Sequence, residues 1–461
     1  MIAKIRKRLS AVLSGDATMK EALSQAKIAF VLRVLGAGLA FLFTSAVARL
    51  LGAEGAGLYF MALSVMMIAA VIGRLGLENT LLRFIAANLA TGAPERSMGA
   101  FAMGMRWTVI ATAALGTAVF VLAPVMAGTL FDEPAVLGPL RVLALGIVTF
   151  SLLTTLSFAL KGLKKVGAAS LVAGVMHPAI GLLIIVPMTA WYGATGAAAA
   201  YLTGTLAAAI LGAIFWRRYT AGIVPARHPA PHFEAEALRK SARPLWVGQI
   251  VSRGLIPWAP VFIMGIWASA ADTAVVGMGS RIALLIAILL QAVTAAVSPH
   301  YARLHATGEL GKLARMMRRF SLLLTVAASP LFLIMVLFPT QIMSLFGEGF
   351  ETGGAVLAIL AVGQIVNTAC GSVFAVLSMS GHERDVRDTT LVTAVTLIIA
   401  CFVLIPPYGA VGAAMAMAGS IIVNNLLALV QVRRRLGIIA IPGPHLIWPD
   451  RLKPQPPKTS E

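Results

Sequence analysis

The chain alternates between long apolar stretches and short polar gaps. A membrane-spanning helix needs about twenty consecutive, mostly apolar residues. Twelve stretches meet this requirement, so the sequence predicts an all-α integral membrane protein of about twelve transmembrane helices. The predicted spans are 28–51, 57–77, 99–125, 137–160, 167–190, 194–216, 244–267, 273–298, 320–346, 354–380, 389–407 and 409–432.

Parts of this pattern recur after 216 residues. Tyr192-Gly-Ala-Thr-Gly-Ala-Ala-Ala opens the sixth span, and Tyr408-Gly-Ala-Val-Gly-Ala-Ala-Met opens the twelfth. Ala90-Thr-Gly recurs as Ala306-Thr-Gly at the same offset. Matches at a constant offset indicate an internal repeat. Six helices is an even number, so both halves enter the membrane in the same direction. A parallel repeat of this kind holds substrate at the interface between its halves.

The repeat and the polar gaps together predict the domain organisation. The predicted parts are a basic segment (1–27), a six-helix lobe (28–216), a linker (217–243), a second six-helix lobe (244–435) and a Pro-rich tail (436–461).

The basic residues are concentrated on one predicted side. With the N-terminus inside, the inner gaps hold 30 of the 37 Lys and Arg residues, and the outer gaps hold none. Cytoplasmic loops of membrane proteins carry such an excess. We therefore expect a multi-pass protein of the inner membrane with both termini in the cytoplasm. The same distribution explains the net charge of +19 without a nucleic-acid partner.

The composition argues against a soluble enzyme. Hydrophobic residues make up 59% of the chain and charged residues 12%, whereas soluble domains are about half apolar and a quarter charged. The sequence has no P-loop for ATP and no His or Cys cluster with metal-ligand spacing. Its two cysteines, Cys370 and Cys401, lie in apolar stretches. We expect no enzymatic activity, no metal and no cofactor.

Arginines inside the predicted spans are the informative residues, because a charge at that depth is costly and usually functional. Arg253 lies ten residues past Arg243, about 15 Å into its helix, and Arg281 lies nine residues past Asp272, about 13 Å from the other face. No Asp or Glu lies at that depth in any predicted span. The two arginines are therefore expected to face water, carbonyl groups or an anionic ligand.

A third arginine, Arg33, occupies nearly the place in the first span that Arg253 occupies in the seventh. It is shallower, so its side chain could instead reach the inner surface. Arginine suits phosphate because its planar fork binds two oxygens. We therefore predict that Arg33, Arg253 and Arg281 bind an anionic headgroup. Polar residues that could line the cavity, or instead bond between helices, are Gln249, Gln291, Gln364 and Asn367.

Four strings carry a family resemblance. They are Ala48-Arg-Leu-Leu-Gly-Ala-Glu-Gly-Ala-Gly-Leu-Tyr59, Leu290-Gln-Ala-Val-Thr-Ala-Ala-Val-Ser-Pro299, Leu345-Phe-Gly-Glu-Gly-Phe350 and Ser380-Gly-His-Glu-Arg384. Over residues 28–435 the chain resembles polysaccharide biosynthesis and O-antigen flippase proteins. These belong to the multidrug/oligosaccharidyl-lipid/polysaccharide (MOP) exporter superfamily.

The resemblance implies a fold like that of the multidrug (MATE-type) transporters, with two six-helix lobes around a cavity. It further implies that lipid-linked diphosphate oligosaccharides or polysaccharide repeat units cross the membrane by alternating access. Relatives that move such lipids have cationic cavities, to which Arg33, Arg253 and Arg281 are matched. The expected partners are the lipid-linked glycan, membrane lipid, and glycosyltransferases or a polymerase of a glycan pathway. We expect a monomer.

Two other functions stay open at this stage. A cation-coupled multidrug antiporter needs a carboxylate inside the membrane, and the candidates, Glu78 and Asp272, lie near opposite ends of their spans. A non-transporting scaffold of a polysaccharide assembly could keep the same helices.

Overall fold

The computed structural model describes residues 17–222 and 235–441. Residues 1–16 of the predicted basic segment, 223–234 of the linker and 442–461 of the tail lie outside the described residues. Within the described ranges, all regular secondary structure is helical.

Fourteen α-helices follow one another along the described chain. They are α1 (Ala17–Gly73), α2 (Leu77–Ala90), α3 (Pro94–Val125), α4 (Leu137–Gly162), α5 (Val166–Ser170), α6 (His177–Thr220), α7 (Ala235–Gln249), α8 (Ile256–Trp267), α9 (Ala270–Ala306), α10 (Leu310–Leu337), α11 (Pro339–Ser344), α12 (Gly354–Cys370), α13 (Val373–Met379) and α14 (Glu383–Leu436). Short π-helices span Met126–Leu130, Leu171–Met176 and Ile250–Leu255, and 3₁₀ turns span Pro134–Val136 and Glu351–Gly353.

Three of the longest helices are broken by a glycine. The breaks are Gly52 in α1 (φ 65°), Gly193 in α6 (φ 54°) and Gly409 in α14 (φ 51°). A positive φ costs an L-residue with a Cβ about 1–2 kcal/mol, and glycine avoids that cost. Gly52 and Gly193 fall in gaps between predicted spans and Gly409 is the first residue of the twelfth predicted span, so at each place glycine provides the turn.

The membrane-crossing pattern follows from these breaks. Nine helical stretches of the described residues are long and apolar enough to cross a membrane, and three of them contain 44, 55 and 54 residues. Such lengths are about twice what one crossing needs. Each of the three is broken at one of these glycines, and division at the breaks yields twelve segments. The fold is therefore that of an all-α, multi-pass membrane protein, and the number of crossings stays a prediction.

The repeated strings adopt matching backbone conformations. Gly193 has φ 54° and ψ −132°, and Gly409, 216 residues on, has φ 51° and ψ −129°. At the other repeated string, Gly92 and Gly308 have φ 72° and 73°. The sequence repeat thus extends to local structure at both places. The relation between two whole lobes stays a prediction.

Four predicted spans are interrupted, the first of them 167–190, which runs from α5 through the π-helix Leu171–Met176 into α6. The span 244–267 runs from α7 into α8 through a π-helix, whose hydrogen bonds join residues five apart rather than four. The span 320–346 is broken at Phe338 (φ −127°, ψ 44°), which precedes a proline and so leaves the α-helical region. The span 354–380 is broken at Gly371 (φ 69°).

The chain forms two compact units. The N-terminal unit comprises the described parts of Met1–Val47, Ala69–Pro124 and Leu137–Gln249. The C-terminal unit comprises the described parts of Ala48–Ile68, Val125–Val136 and Ile250–Glu461. The units therefore do not simply follow the two halves of the sequence, since α1 contributes to both. The lobes 28–216 and 244–435 remain a prediction.

The N-terminal unit packs α4 and α6 along each other, with α2 and α7 against one end. Its core contains Leu81, Ile85, Leu156 and Leu160, all nearly or fully buried. Thr149 and Thr205 share a hydroxyl hydrogen bond of 2.7 Å between α4 and α6. Small and hydroxyl residues at such contacts let membrane helices approach closely.

Candidate functional site

A cavity of about 170 Å³ lies within the C-terminal unit. Its walls come from α8, α9, α12, α14 and the part of α1 after Gly52. Most of the lining is apolar, as is usual for pockets that bind small molecules. The polar lining residues are Ser280, Arg281, Gln364 and Ser420.

Helical spacing turns these side chains inward. Gly277, Ser280, Arg281 and Leu284 of α9 all line the cavity, and positions three, four and seven residues apart share one helix face. Gly277 lets α9 pack closely on Phe60, because a Cβ there would lie only 3.0 Å from the Phe60 ring. Arg281 is therefore held on the inner face of α9.

The start of α9 fixes the register of that face. Ser269 caps the helix: its hydroxyl accepts from the backbone N–H of Asp272 at 3.1 Å and donates to the Asp272 carboxylate at 2.8 Å. Side-chain caps of this kind stabilise a helix by about 1 kcal/mol. A carboxylate in the first turn also interacts favourably with the helix dipole. Asp272 thus serves the helix terminus.

The Arg281 guanidinium lies over the indole of Trp258, 4.8 Å from the ring centroid. Trp258 is buried and comes from α8, so this contact joins two consecutive helices. A cation over an indole gains about 0.5–2 kcal/mol, more as water is excluded. The N–H groups of a guanidinium lie in its plane and donate to oxygen acceptors there.

A chain of amides stands behind Gln364. Asn425 donates to the side-chain oxygen of Asn367 at 3.0 Å, and Asn367 donates to the side-chain oxygen of Gln364 at 3.3 Å. The side-chain oxygen of Gln364 accepts from Asn367, so the NH₂ group of Gln364 is the donor at the end of this series of amides. The Asn425 side chain also donates to the Ile421 carbonyl at 2.9 Å, which anchors the chain on α14.

The cavity is cationic. Among the described residues that line it, Arg281 carries a charge and no carboxylate is present. A guanidinium and a carboxamide NH₂ both donate hydrogen bonds, so the complementary ligand group presents oxygen acceptors and negative charge.

The structure brings only some of the predicted site residues together. Arg281 and Gln364 line the cavity, and Asn367 supports Gln364. Arg253 belongs to the same unit but is exposed on the π-helix before α8, and Gln291 is exposed on α9. Neither of these two lines the cavity.

The other two predicted residues belong to the N-terminal unit. Arg33 is exposed on α1. Gln249, at the end of α7, is buried, and neither polar atom of its side chain has a hydrogen-bond partner among the described residues. The role of both residues stays a prediction.

Sequence reasoning missed Trp258, the residue that positions Arg281. A tryptophan within an apolar span is not informative by itself. Its signal was the proximity of its predicted helix to the one that carries Arg281, since the two helices are consecutive. The pairing of these two side chains depends on how α8 and α9 pack.

The N-terminal unit contains a buried ion pair. Arg74 and Glu78 form an ion pair across the turn between α1 and α2, with 3% and 0% of each residue exposed. The Arg74 guanidinium also lies 5.5 Å from the centre of the Phe150 ring. Glu78, like Asp272, is thus held by a local partner.

Comparisons with known proteins assign the family. A family model described as "Polysaccharide biosynthesis protein" matches residues 23–305, which is more than half of the chain. The chain belongs to the polysaccharide biosynthesis protein family. This confirms the resemblance drawn from the sequence strings.

A curated relative and two solved structures are similar to this polysaccharide biosynthesis protein. "Probable flippase AglR" of Haloferax volcanii is 26% identical over 200 residues, which span 42% of this chain and 41% of the relative. An inward-facing multidrug resistance MATE family transporter of the MOP superfamily has a TM-score of 0.71 at 15% identity, covering 88% of this chain and 98% of its own. The lipid II flippase MurJ, in an inward closed conformation, has a TM-score of 0.68 at 12% identity, covering 89% and 87%. Both structures show the shared fold.

Proposed function

We propose that this protein flips lipid-linked diphosphate oligosaccharides or polysaccharide repeat units across the inner membrane by alternating access. Membership of the polysaccharide biosynthesis family supports a glycan substrate. The similarity to a probable flippase supports lipid movement over the part of the chain that matches. In this proposal both termini lie in the cytoplasm, in keeping with the basic inner gaps.

The observation that carries the proposal is the cationic cavity of the C-terminal unit. Arg281 on Trp258 and the NH₂ group of Gln364 are hydrogen-bond donors in a wall that is mostly apolar. A phosphoryl group supplies the matching oxygens and charge. A space of about 170 Å³ suits a small anionic group rather than an oligosaccharide, so the sugars would extend beyond it.

Arg33 and Arg253 are proposed as further contacts of the headgroup. A diphosphate carries more than one negative charge, whereas the cavity lining contributes one arginine. Additional cations are therefore needed to balance the headgroup during its passage. The prenyl tail would remain in the bilayer, where its apolar surface is accommodated.

The proposal also covers the partners and the class of the protein. It acts as a monomeric transporter rather than an enzyme. Its substrate comes from glycosyltransferases that assemble a lipid-linked glycan, and a polymerase or transferase uses the glycan on the other side. No nucleic acid takes part.

The multidrug antiporter is the weaker candidate on structural grounds. That function requires a carboxylate that exchanges a cation. Glu78 is paired with Arg74, and Asp272 binds the Ser269 cap. Both carboxylates therefore have local structural roles. A scaffold without transport activity would show neither lipid movement nor drug efflux.

Reconstitution of the purified protein with a fluorescent lipid-linked oligosaccharide tests the proposal. Arg281→Ala removes a charge-assisted hydrogen-bond donor, which is worth about 1.5–3 kcal/mol, so we expect transport to fall about 10- to 100-fold. Arg281→Lys keeps the charge but loses the planar fork, and we expect an intermediate loss. Trp258→Phe should retain more transport than Trp258→Leu, because phenylalanine keeps a ring for the cation.

Arg141→Ala is the matched control. Arg141 also lies over an aromatic ring, that of Phe120 at 5.5 Å, but it is exposed in the N-terminal unit. We expect this variant to transport normally. Full transport by well-folded Arg281→Ala would contradict the site, and drug efflux without lipid movement would contradict the function.

A further inference from the structure

The turn after the first predicted span contacts two distant segments of the chain at three points. The Arg49 side chain and the Ala53 main-chain N–H donate hydrogen bonds to the loop 345–350. Gly57 packs against Ala270. All of these residues belong to the C-terminal unit. All three segments lie at or beside predicted outer gaps of the membrane pattern. We call this set of contacts the outer latch.

The first contact of the outer latch depends on the broken helix. Gly52 has φ 65° and ψ −176°, so the chain leaves the α-helical path at this residue. The N–H of Ala53 instead donates to the carbonyl of Glu348 at 2.9 Å. This bond connects the first half of the sequence to the second.

The second contact is made by the Arg49 side chain. Its Nε donates to the carbonyl of Leu345 at 2.7 Å, across 296 positions of sequence. Arg49 and Leu345 are exposed, so water can reach both ends of this bond. Both acceptors of the latch are main-chain carbonyls, which water solvates readily once the bonds open.

The third contact is a close approach of backbones. A Cβ at Gly57 would lie 1.8 Å from the carbonyl oxygen of Ala270, and one at Gly349 would lie 2.9 Å from the Cβ of Ala53. Ala53 and Ala270 are only 3% and 4% exposed. The surfaces therefore fit because the residues are small, and at Gly57, where the clash is with backbone, an added methyl group is enough to separate them.

We propose that the outer latch is a gate: it closes the outer side of the substrate path, and its contacts separate when the substrate is released. This inference rests on the proposed transport function. Alternating access requires a contact between the two halves of the chain that forms in one state and opens in the other. The outer latch has the composition of a reversible contact, since hydrogen bonds to main-chain carbonyls and small residues hold it together without an ion pair among its described residues.

A disulfide across the latch tests whether opening is required. In Ala53→Cys with Gly349→Cys the Cβ atoms start 2.9 Å apart, and a disulfide needs about 3.5–4.5 Å, so a shift of roughly 1 Å suffices. A protease site inserted after Gly222 lets the linked fragments be seen on a gel. We expect an oxidant to link the fragments and to lower transport at least tenfold, and a reductant to restore both.

Gly128→Cys replaces Gly349→Cys in the control pair, because a Cβ at Gly128 meets nothing within 4 Å. This pair should not link. The resident Cys370 and Cys401 are buried, so they compete little for oxidant. A linked latch that transports at the unlinked rate would overturn the proposal, and so would a failure of Ala53→Cys to link to Gly349→Cys.

A second variant tests the latch without transport. Gly57→Ala should hold the latch open, so a membrane-impermeant maleimide should label Ala53→Cys at least tenfold faster than in the parent. Gly419→Ala, where a Cβ meets nothing within 4 Å, is the matched control. Unchanged labelling in Gly57→Ala would overturn the gate. Disulfide linking and maleimide labelling are measured without a transport assay. A chain that passes both tests but moves no glycan lipid would therefore contradict the proposed function and leave the gate standing.

Discussion

The buried Arg74–Glu78 pair allows a prediction with a worked magnitude. Only 3% of Arg74 and none of Glu78 is exposed. Removal of one partner from a buried ion pair typically costs about 3–5 kcal/mol, because the other charge stays in a medium that solvates it poorly. We therefore expect Glu78→Gln to lower the free energy of unfolding by an amount in this range.

Replacement of both partners should behave differently. Apolar residues of similar volume in place of a buried pair are often neutral or stabilising, so Arg74→Met with Glu78→Leu should be at least as stable as the parent. Thermal unfolding in detergent of Arg74→Met, Glu78→Leu and the double variant gives the coupling between the two sites. Glu309→Gln, which breaks an exposed pair with Lys312, is the control and should change the melting temperature little.

The same variants bear on function. If Glu78 exchanged a coupling cation, the double variant would be stable but inactive in transport. We expect it to transport, since the pair has a structural role. The reasoning is refuted if Glu78→Gln costs less than about 1 kcal/mol, or if the double variant is as unstable as the single ones.

Two further predictions concern turns and pH. Gly76 and Gly92 both have φ 72°, but a Cβ at Gly76 would lie 2.6 Å from the Ala242 carbonyl whereas one at Gly92 meets nothing within 4 Å. We therefore expect Gly92→Ala to cost about 1–2 kcal/mol and Gly76→Ala clearly more, measured by thermal unfolding, and equal costs would contradict the packing of α7 on this turn. Burial, and secondarily the nearby His382, lower the pKa of His305 from its ordinary 6.5. The stability that neutral His305 contributes is thus present above its ordinary pKa and is lost as the pH falls through the lowered pKa. Between about pH 7 and pH 5, the melting temperature of the parent should therefore fall more than that of His305→Gln.

Several features of the fold follow from local properties of the sequence. The apolar stretches predict membrane helices because the bilayer, rather than a folded core, accommodates them. Gly52 and Gly193 lie in predicted gaps and Gly409 begins the last predicted span, and each takes a positive φ. The repeated strings around Gly193 and Gly409 also adopt the same backbone, because conformation at such turns depends on few neighbouring residues.

The site was only partly predictable from the sequence. Depth along a helix identified Arg281, and the cavity does contain it together with Gln364. Depth also identified Arg253, and polarity identified Gln291, yet both are exposed outside the cavity. Depth says how far a residue lies along its helix. It does not say which way the side chain points once a π-helix has shifted the register.

The sequence by itself therefore determined the membrane-embedded helical class, the glycine turns and the arginines inside the spans, since each depends on hydropathy or on backbone sterics over a few residues. Only the tertiary structure decided that Arg281 lies on Trp258 and that Ala53 binds the carbonyl of Glu348. The first contact depends on how two helices are rotated against each other. The second joins segments almost 300 residues apart, and no local pattern encodes such a pairing.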